Sequence, residues 1–553
     1  MARRALTSFS LLGRAMDQPS PAANPPRPQG RVPSPLPGNQ EGNAMNIKQA
    51  KQEITNTLKA YLAKDPLGNY LIPPVRQRPV LLMGPPGVGK TQIMEQVAAE
   101  TGVGLVAYTI THHTRQSAVG LPFIETRTYG GQTYSITEYT MSEILASVYD
   151  LMEKTGLMEG ILFLDEINCV SETLAPMMLQ FLQCKTFGNQ RLPEGWLIAA
   201  AGNPPEYNRS VRDFDVVTLD RVKRIDVQED FAVWKEYARA KGLHGAVVSY
   251  LDIRKDHFYR VETTAEGIQF ATARGWEDLS ELLTVYETLG LKADREVVGQ
   301  YIQLPRIARD FANYLELYGK YRKIYHVDDI LTGTWKPITV RELRAAPFDE
   351  KLSVMGLLLS RLSEAAREAR RRDSLCENLH AALTKFKEAL AAGEDPQAVL
   401  EALTGERREA LKRAGNAGQG DKHRQALAQL EINILEDYRR RLIPENPADS
   451  DLAMAAVRGW FGQEVEKRAS QAREAKAELD HAFAFLEETF GQGQELVLFV
   501  TELTAGPDTS WLIETFGCDA YFRHNRELLF DGTRRRIQEE IFAAKAAEQE
   551  EQP

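Results

Sequence analysis

One stretch constrains this chain more than any other. Pro79–Met83 is a short, continuous apolar run, and Gly84, Pro85, Pro86, Gly87, Val88, Gly89, Lys90 and Thr91 follow it directly. The run has the length and character of a strand buried on both faces of a parallel sheet. The eight residues after it fit G-x-x-x-x-G-K-[ST] and open a helical pattern over Thr91–Ala98. Glycines let the backbone curl so that successive N–H groups point at phosphate oxygens, and a helix beginning near Lys90 adds the positive end of its dipole. Lys90 supplies a point charge for the β- and γ-phosphates, and Thr91 offers a hydroxyl to Mg2+. A glycine turn without function would need both the strand and the helix to flank it by accident.

The partner of this loop is Ile161-Leu-Phe-Leu164 followed by Asp165 and Glu166. Four apolar residues predict a buried strand, and open α/β sheets bind ligands beyond the carboxyl ends of their strands. Asp165 is placed to hold Mg2+ through water, and Glu166 to polarise an attacking water as a general base. Further strands are expected at 105–110, 160–165 and 196–201, separated by helices that include 173–183. That alternation predicts right-handed crossovers and a three-layer α/β domain with a parallel sheet. Between the second and third strands, Phe123–Tyr129, Gly130-Gly131 and Gln132–Ile136 read as an inserted β-hairpin with a Gly-Gly turn.

The rest of the chain is organised more loosely. Residues 1–44 are rich in Pro, Ser, Gly and Asn and are expected to be disordered. A helical pattern opens at Met45, which is either the natural start or the end of a genuine flexible tail. The expected domains are an α/β core over 45–235, a helical lid over 236–335, and a helical C-terminal region over 336–553. The C-terminal region is either an adaptor or a bundle that stabilises the assembly. Gly415–Gly420 reads as a loop between its charged, alanine-rich helices, and Glu495–Val500 as one late strand.

The composition narrows the classes of function. With 67 Lys and Arg against 77 Asp and Glu, the formal net charge is −10, which disfavours a nucleic-acid-wrapping surface. Lys185, Phe187 and Arg191 around Gly188 are too few for a nucleic-acid clamp. Cys169, Cys184, Cys376 and Cys518 show no C-x-x-C or zinc spacing, as expected of thiols in a reducing, cytoplasmic setting. No run approaches the roughly 18 apolar residues of a membrane span. His112, His113 and Arg115 follow the second strand, where adjacent histidines point different ways and make a poor metal site.

On these residues the chain resembles the AAA+ ATPases, and within them the MoxR-like group related to the dynein-type AAA module. Gly84–Thr91 is in the AAA+ style, and Asp165-Glu166-Ile167-Asn168 is similar to the second motif. Ala201-Gly202-Asn203-Pro204 resembles the first sensor, in which Asn203 would orient the water. The segment Leu219–Asp226 resembles the region that carries an arginine finger, which implies Arg221 acting from a neighbouring subunit. Val222 stands where the family usually has Phe. Arg224 and a plain surface ion pair remain the rival readings. Thr272–Ser280 resembles the phrase with the second sensor, implying Arg274, although Ala273 replaces the usual proline; Arg306, after Pro305, is the rival. The inserted hairpin is similar to the helix-2 insert of the same branch.

The resemblance covers about 75–320 with specific motifs. It implies ATP as the nucleotide, with Mg2+ as cofactor; the residues alone do not choose between ATP and GTP, because no N-K-x-D base-reading motif is visible. It also implies a homo-oligomeric ring, a hexamer, acting as a chaperone on a protein client, alongside a von Willebrand A-type partner. Two other classes stay open: a DNA-directed motor or restriction-type subunit, and a nucleotide-gated scaffold with little turnover. Intact Glu166 and Asn203 argue against the scaffold.

Overall fold

The computed structural model describes residues 44–526, apart from 113, 115, 117, 119, 188–189, 208–210, 212–213, 265–266, 417–421 and 446–449. The expected tail up to residue 43, His113, Arg115 and Gly188 therefore lie outside the described residues. The chain opens with β1 (Ala44–Asn46) and α1 (Ile47–Leu62). Strand β2 (Val80–Met83) and helix α2 (Lys90–Thr101) flank the glycine loop, and β3 (Gly104–Thr109) follows. Next come β4 (Pro122–Tyr129), β5 (Gln132–Tyr139), α3 (Glu143–Thr155), β6 (Gly160–Asp165) and α4 (Ala175–Cys184). The two-residue strands β7 (Thr186–Phe187) and β8 (Gln190–Arg191) precede β9 (Trp196–Gly202), the single turn α5 (Val216–Leu219) and β10 (Lys223–Gln228).

Six of these strands form one parallel sheet in the order β1-β10-β2-β9-β6-β3. Side chains alternate across it, as the period of two requires. Val80 and Leu82, Ile161 and Phe163, and Leu197 and Ala199 join Ile54, Leu58, Ile93 and Val97 of α1 and α2 on one face. Leu81, Leu162, Leu164, Ile198 and Ala200 join Ile144, Val148, Met178 and Phe181 of α3 and α4 on the other. Burial on both faces explains why these strands read as unbroken apolar runs. β4 and β5 pair antiparallel around Gly130 and Gly131, both at positive φ, and their side chains are mostly exposed.

A second unit packs beyond the sheet. It contains α6 (Phe231–Lys241), α7 (Gly245–Ile253), the hairpin of β11 (Arg260–Thr264) and β12 (Gly267–Ala271), α8 (Ala273–Leu289), α9 (Arg295–Tyr301) and α10 (Pro305–Ile324). Trp276 is wholly buried there; its Nε1–H lies 3.2 and 3.1 Å from the carbonyls of His257 and Phe258, and its ring meets Phe311 edge-on. α6 runs through the expected border at 235, and its Trp234 and Ala238 belong to this cluster.

The remainder is helical. It runs through α11 (Val327–Leu331), α12 (Pro337–Ala345), α13 (Phe348–Ala391), α14 (Pro396–Asn416), α15 (Lys422–Glu445), α16 (Ser450–Phe490), α17 (Gln494–Ala505) and α18 (Pro507–Phe516). The first half of α13 packs with α16, α17 and α18 around Leu358, Phe483 and Phe499. Its second half packs with α14, α15 and the start of α16 around Phe386, Leu400 and Leu435. α14 also rests on α3 of the sheet domain.

Three local expectations are corrected. The helix expected from Met45 begins at Ile47, because Ala44–Asn46 is held as an edge strand against Asp226–Gln228 and Asn46 caps the helix with its side chain. The strand expected at Glu495–Val500 is helix α17: Leu496, Phe499, Val500 and Leu503 are buried at helical spacing, and Val497 and Leu498 stay exposed. Gly415 and Asn416, expected in a loop, close α14, and residues 417–420 lie outside the described residues. Among the described residues no disulfide forms, and no helix is long and apolar enough to cross a membrane.

Candidate functional site

The sheet order builds the site. β9 lies between β2 and β6, so three neighbouring strands end side by side, with Met83 paired to Gly202 and Leu164 to Ala200. The residues that follow these strands are Gly84–Thr91, Asn203 and Asp165–Glu166, and all of them converge on one edge.

The glycine loop is shaped by positions that tolerate no side chain. A Cβ on Gly84 would stand 2.6 Å from the carbonyl oxygen of Val227. Gly87 and Gly89 adopt φ of 76° and 92°, the left-handed region that favours glycine. Inside this curl Lys90 is almost fully buried. Its ammonium donates to the carbonyls of Gly84 (2.8 Å) and Pro85 (2.9 Å) and to Asn203 Oδ1 (2.8 Å). Burial pushes the Lys90 pKa down to about 8 against the attraction of Asp165, and the nearby charge of Arg274 adds to the lowering. A buried cation held only by carbonyl and amide oxygens suits an incoming polyanion.

Thr91 Oγ1 donates to Asp165 Oδ2 at 2.9 Å. A hydroxyl and a carboxylate side by side are hard oxygen donors of the kind Mg2+ takes. Thr91 and Asp165 are thus the residues that would hold it. Glu166 adopts φ 56°, which costs a non-glycine residue about 1 kcal/mol and persists only where the surroundings enforce it. Here the Glu166 amide donates to Asp165 Oδ1, and the Glu166 carboxylate accepts a hydrogen bond from Thr111 Oγ1, both at 2.9 Å. Asn168, buried, donates to the Asn203 carbonyl at 2.8 Å and accepts from the Asn203 amide at 3.3 Å, which fixes where Asn203 points.

The two candidate sensor arginines part company. Arg274, in the first turn of α8, stands over the loop: a Cβ on Gly87 would lie 3.4 Å from the Cβ of Arg274. Arg306 lies instead in a separate shallow cleft with His257, Arg309 and Asp310. Arg221 is exposed and donates to Gln183, and Arg224 is paired within its strand to Asp226 at 2.8 Å. Neither of these two joins the cluster around Lys90 of its own chain.

Beyond the loop a cavity of about 380 Å³ continues from Gly87–Gly89 between α1, α6 and α8. Ile47, Val88, Val233, Trp234, Phe258 and Ala273 give it an apolar lining, and Gln92, Tyr237 and Glu277 are polar points on its wall. Tyr237 donates to Glu277 at 2.8 Å, and Tyr259 donates to the Pro86 carbonyl at 2.9 Å, tying the second unit to the loop. An apolar slot opening from a phosphate cradle fits a nucleoside. The sequence reading found Val88 within the loop but not the rest of this lining, nor Thr111. Their only signal is ordinary apolar and polar residues scattered along the chain.

A strand, a glycine loop, a buried lysine and a hydroxyl–carboxylate pair at the strand ends define a P-loop nucleoside-triphosphate site. Residues 80–218 match the model of the ATPase family associated with various cellular activities (AAA), and this segment is an AAA ATPase domain. No curated protein matches the chain. Among solved structures, the chain is similar to a candidate ATPase from Cytophaga hutchinsonii, with 17% identity, 34% of this chain and 50% of that one covered, and a TM-score of 0.23. It is also similar to NtrX from Brucella abortus in complex with ADP, with 16% identity, 38% and 45% covered, and a TM-score of 0.23. The chain spans about half the length of each.

Proposed function

We propose that this protein is an Mg2+-dependent ATPase of MoxR-like type that works as a ring of identical subunits, a hexamer, to remodel or activate a protein client. The observation that carries the reading is the convergence of Lys90, Thr91, Asp165, Glu166 and Asn203 on one edge of the sheet, while Arg221 stands exposed outside that cluster. Mg2+ held by Thr91 and, through water, by Asp165 would neutralise charge on the β- and γ-phosphates. Lys90 exchanges its carbonyl partners for phosphate oxygens. Asn203, clamped by Asn168, orients the attacking water, and Glu166 leaves Thr111 to accept that water's proton. Arg274 brings a positive charge from the helical lid, and Arg221 supplies one to the neighbouring subunit's γ-phosphate. An exposed arginine outside its own site is what a shared site needs.

Glu166→Gln keeps the shape of the side chain and removes the base. Turnover is expected to fall by about 10²–10⁴-fold while ATP binding is retained, measured by single-turnover hydrolysis and equilibrium binding. Unchanged turnover would sink the assignment. The ring is read by ATPase rate per subunit against protein concentration, with assembly followed by light scattering. Specific activity should climb with assembly, and Arg221→Ala should abolish it with binding intact; a flat profile and a silent variant would leave a monomeric nucleotide switch.

A further inference from the structure

The nucleoside cavity has a wall that does not come from the ATPase core. Ala505 and Pro507, nearly three hundred residues after the last strand of the main sheet, line it together with Val88 of the loop and Val233 and Tyr237 of α6. They belong to the sharp turn between α17 and α18. Pro507 opens α18 at its first position, and Gly506 has no room for a side chain: a Cβ there would meet Thr509 Oγ1 at 2.4 Å. The buried Thr509 hydroxyl, 2.7 Å from the Leu503 carbonyl and 3.1 Å from that of Gly506, closes the turn on itself. The turn is therefore a rigid, small-residue edge.

A network of largely buried charges fixes that edge against α6. Lys235 Nζ lies 2.8 Å from Glu502 Oε1 and also pairs with Asp252. Arg239 pairs with the Glu502 carboxylate. The side chains of Lys235, Arg239 and Glu502 are only 15%, 14% and 18% exposed. Burial pushes Lys235 down to about 8 in spite of Asp252. From the other side, α13 reaches both partners. Arg367 donates to the Arg239 carbonyl at 3.1 Å and to Asp508 at 3.3 Å, and Arg370 donates to Asp508 and to the Pro507 carbonyl at 3.2 and 3.3 Å. Buried ion pairs contribute little net stability, because desolvation offsets their attraction, but they allow very few relative positions of the elements they join. This network sets the distance between the Ala505–Pro507 edge and α6, two of the elements that line the cavity.

We infer that the Ala505–Pro507 turn is part of the nucleoside subsite, closing the outer edge of the slot over the base and ribose of an adenine nucleotide, and that Glu502 is the positioning residue that holds it there. The inference rests on the nucleotide reading of the P-loop and adds to it. It makes the C-terminal helical region a constituent of the ATP site rather than an appendage. The Ala505 methyl and the Pro507 ring shield the nucleoside from water and touch no phosphate, so the phosphate half of the site is indifferent to them.

That indifference supplies the test. Binding of ADP and of inorganic tripolyphosphate to the full chain is measured by calorimetry for wild type, Ala505→Trp and Glu502→Gln, with melting temperatures recorded alongside. Ala505 is exposed and lines the cavity, so the indole of Ala505→Trp can be carried without disturbing the core while taking up space in the slot. ADP affinity is expected to fall about tenfold in Ala505→Trp and about threefold or more in Glu502→Gln, with tripolyphosphate affinity unchanged in both. Wild-type ADP affinity in Ala505→Trp overturns the subsite. Equal weakening of both ligands overturns it too, since the effect would then pass through the loop or the fold. If the wild type binds neither ligand, the nucleotide reading itself fails.

Discussion

At the phosphate end of the cleft, the critical polar atoms answer to one another across four adjacent strand ends: Lys90 to Asn203, Thr91 to Asp165, Glu166 to Thr111. At the nucleoside end, the cavity is walled by side chains from α1, α6, α8 and the α17–α18 turn, most of them apolar and interchangeable in kind. The first end depends on charge and direction, where a wrong atom costs a whole interaction. The second depends on shape, where a missing methylene costs only its own burial. The two halves of one site therefore differ in how much change they tolerate, and each can be probed separately.

The sharpest break falls at Lys90. Lys90→Met keeps much of the side-chain volume but removes the ammonium. ADP affinity is expected to drop roughly a hundredfold, the worth of one or two charge-assisted hydrogen bonds. A loss smaller than tenfold in titration calorimetry would mean that the loop amides alone carry the phosphates. The next effect is one of pH. With its pKa near 8 in the free protein, Lys90 loses its proton above that pH, whereas contact with phosphate raises the pKa and retains it. Binding above pH 8 therefore takes up a proton, and ADP affinity falls with rising pH, by up to tenfold per unit. Titrations in buffers of different ionisation heat, from about pH 7.5 to 9.5, read that uptake directly, and its absence would remove Lys90 as the responsible group. The smallest effect belongs to the nucleoside end. Ile47→Val deletes one methylene from the slot and should weaken ADP by about two- to fourfold, leaving the pH profile as it was. A larger loss would show that the slot is as exacting as the phosphate cradle.

The same contrast explains what could be read from the sequence. Gly84–Thr91 and Asp165–Glu166 were legible because a phosphate cradle needs particular residues at fixed local spacing, and the buried strands before them announce themselves as apolar runs. The β4–β5 hairpin was legible from its Gly-Gly turn. β1 and β10 were not: three residues at the sheet edge, and a strand reading Lys-Arg-Ile-Asp-Val-Gln, carry no strong period, and their pairing is set by tertiary contact. α17 was misread because five successive apolar residues look the same in a buried strand and in a helix covered on most sides. The nucleoside slot was invisible because its parts, Ile47, Val233, Ala273 and Pro507, are brought together only by the fold. That Arg274 lies beside Gly87 and Arg306 in another cleft could be seen only with the lid in place.

α13 has a mechanical consequence. Its Arg367 is fastened to α6 beside the nucleoside slot, and the helix then continues without interruption to Ala391, about 36 Å farther at 1.5 Å per residue. Turning the anchor by about 10° would sweep the far end through about 6 Å, more than one helical turn. Carried on that end is α14, whose outer surface rests on α3 of the sheet domain. A rotation of the lid that α13 followed as a rod would therefore be felt where α14 meets α3, far from any phosphate.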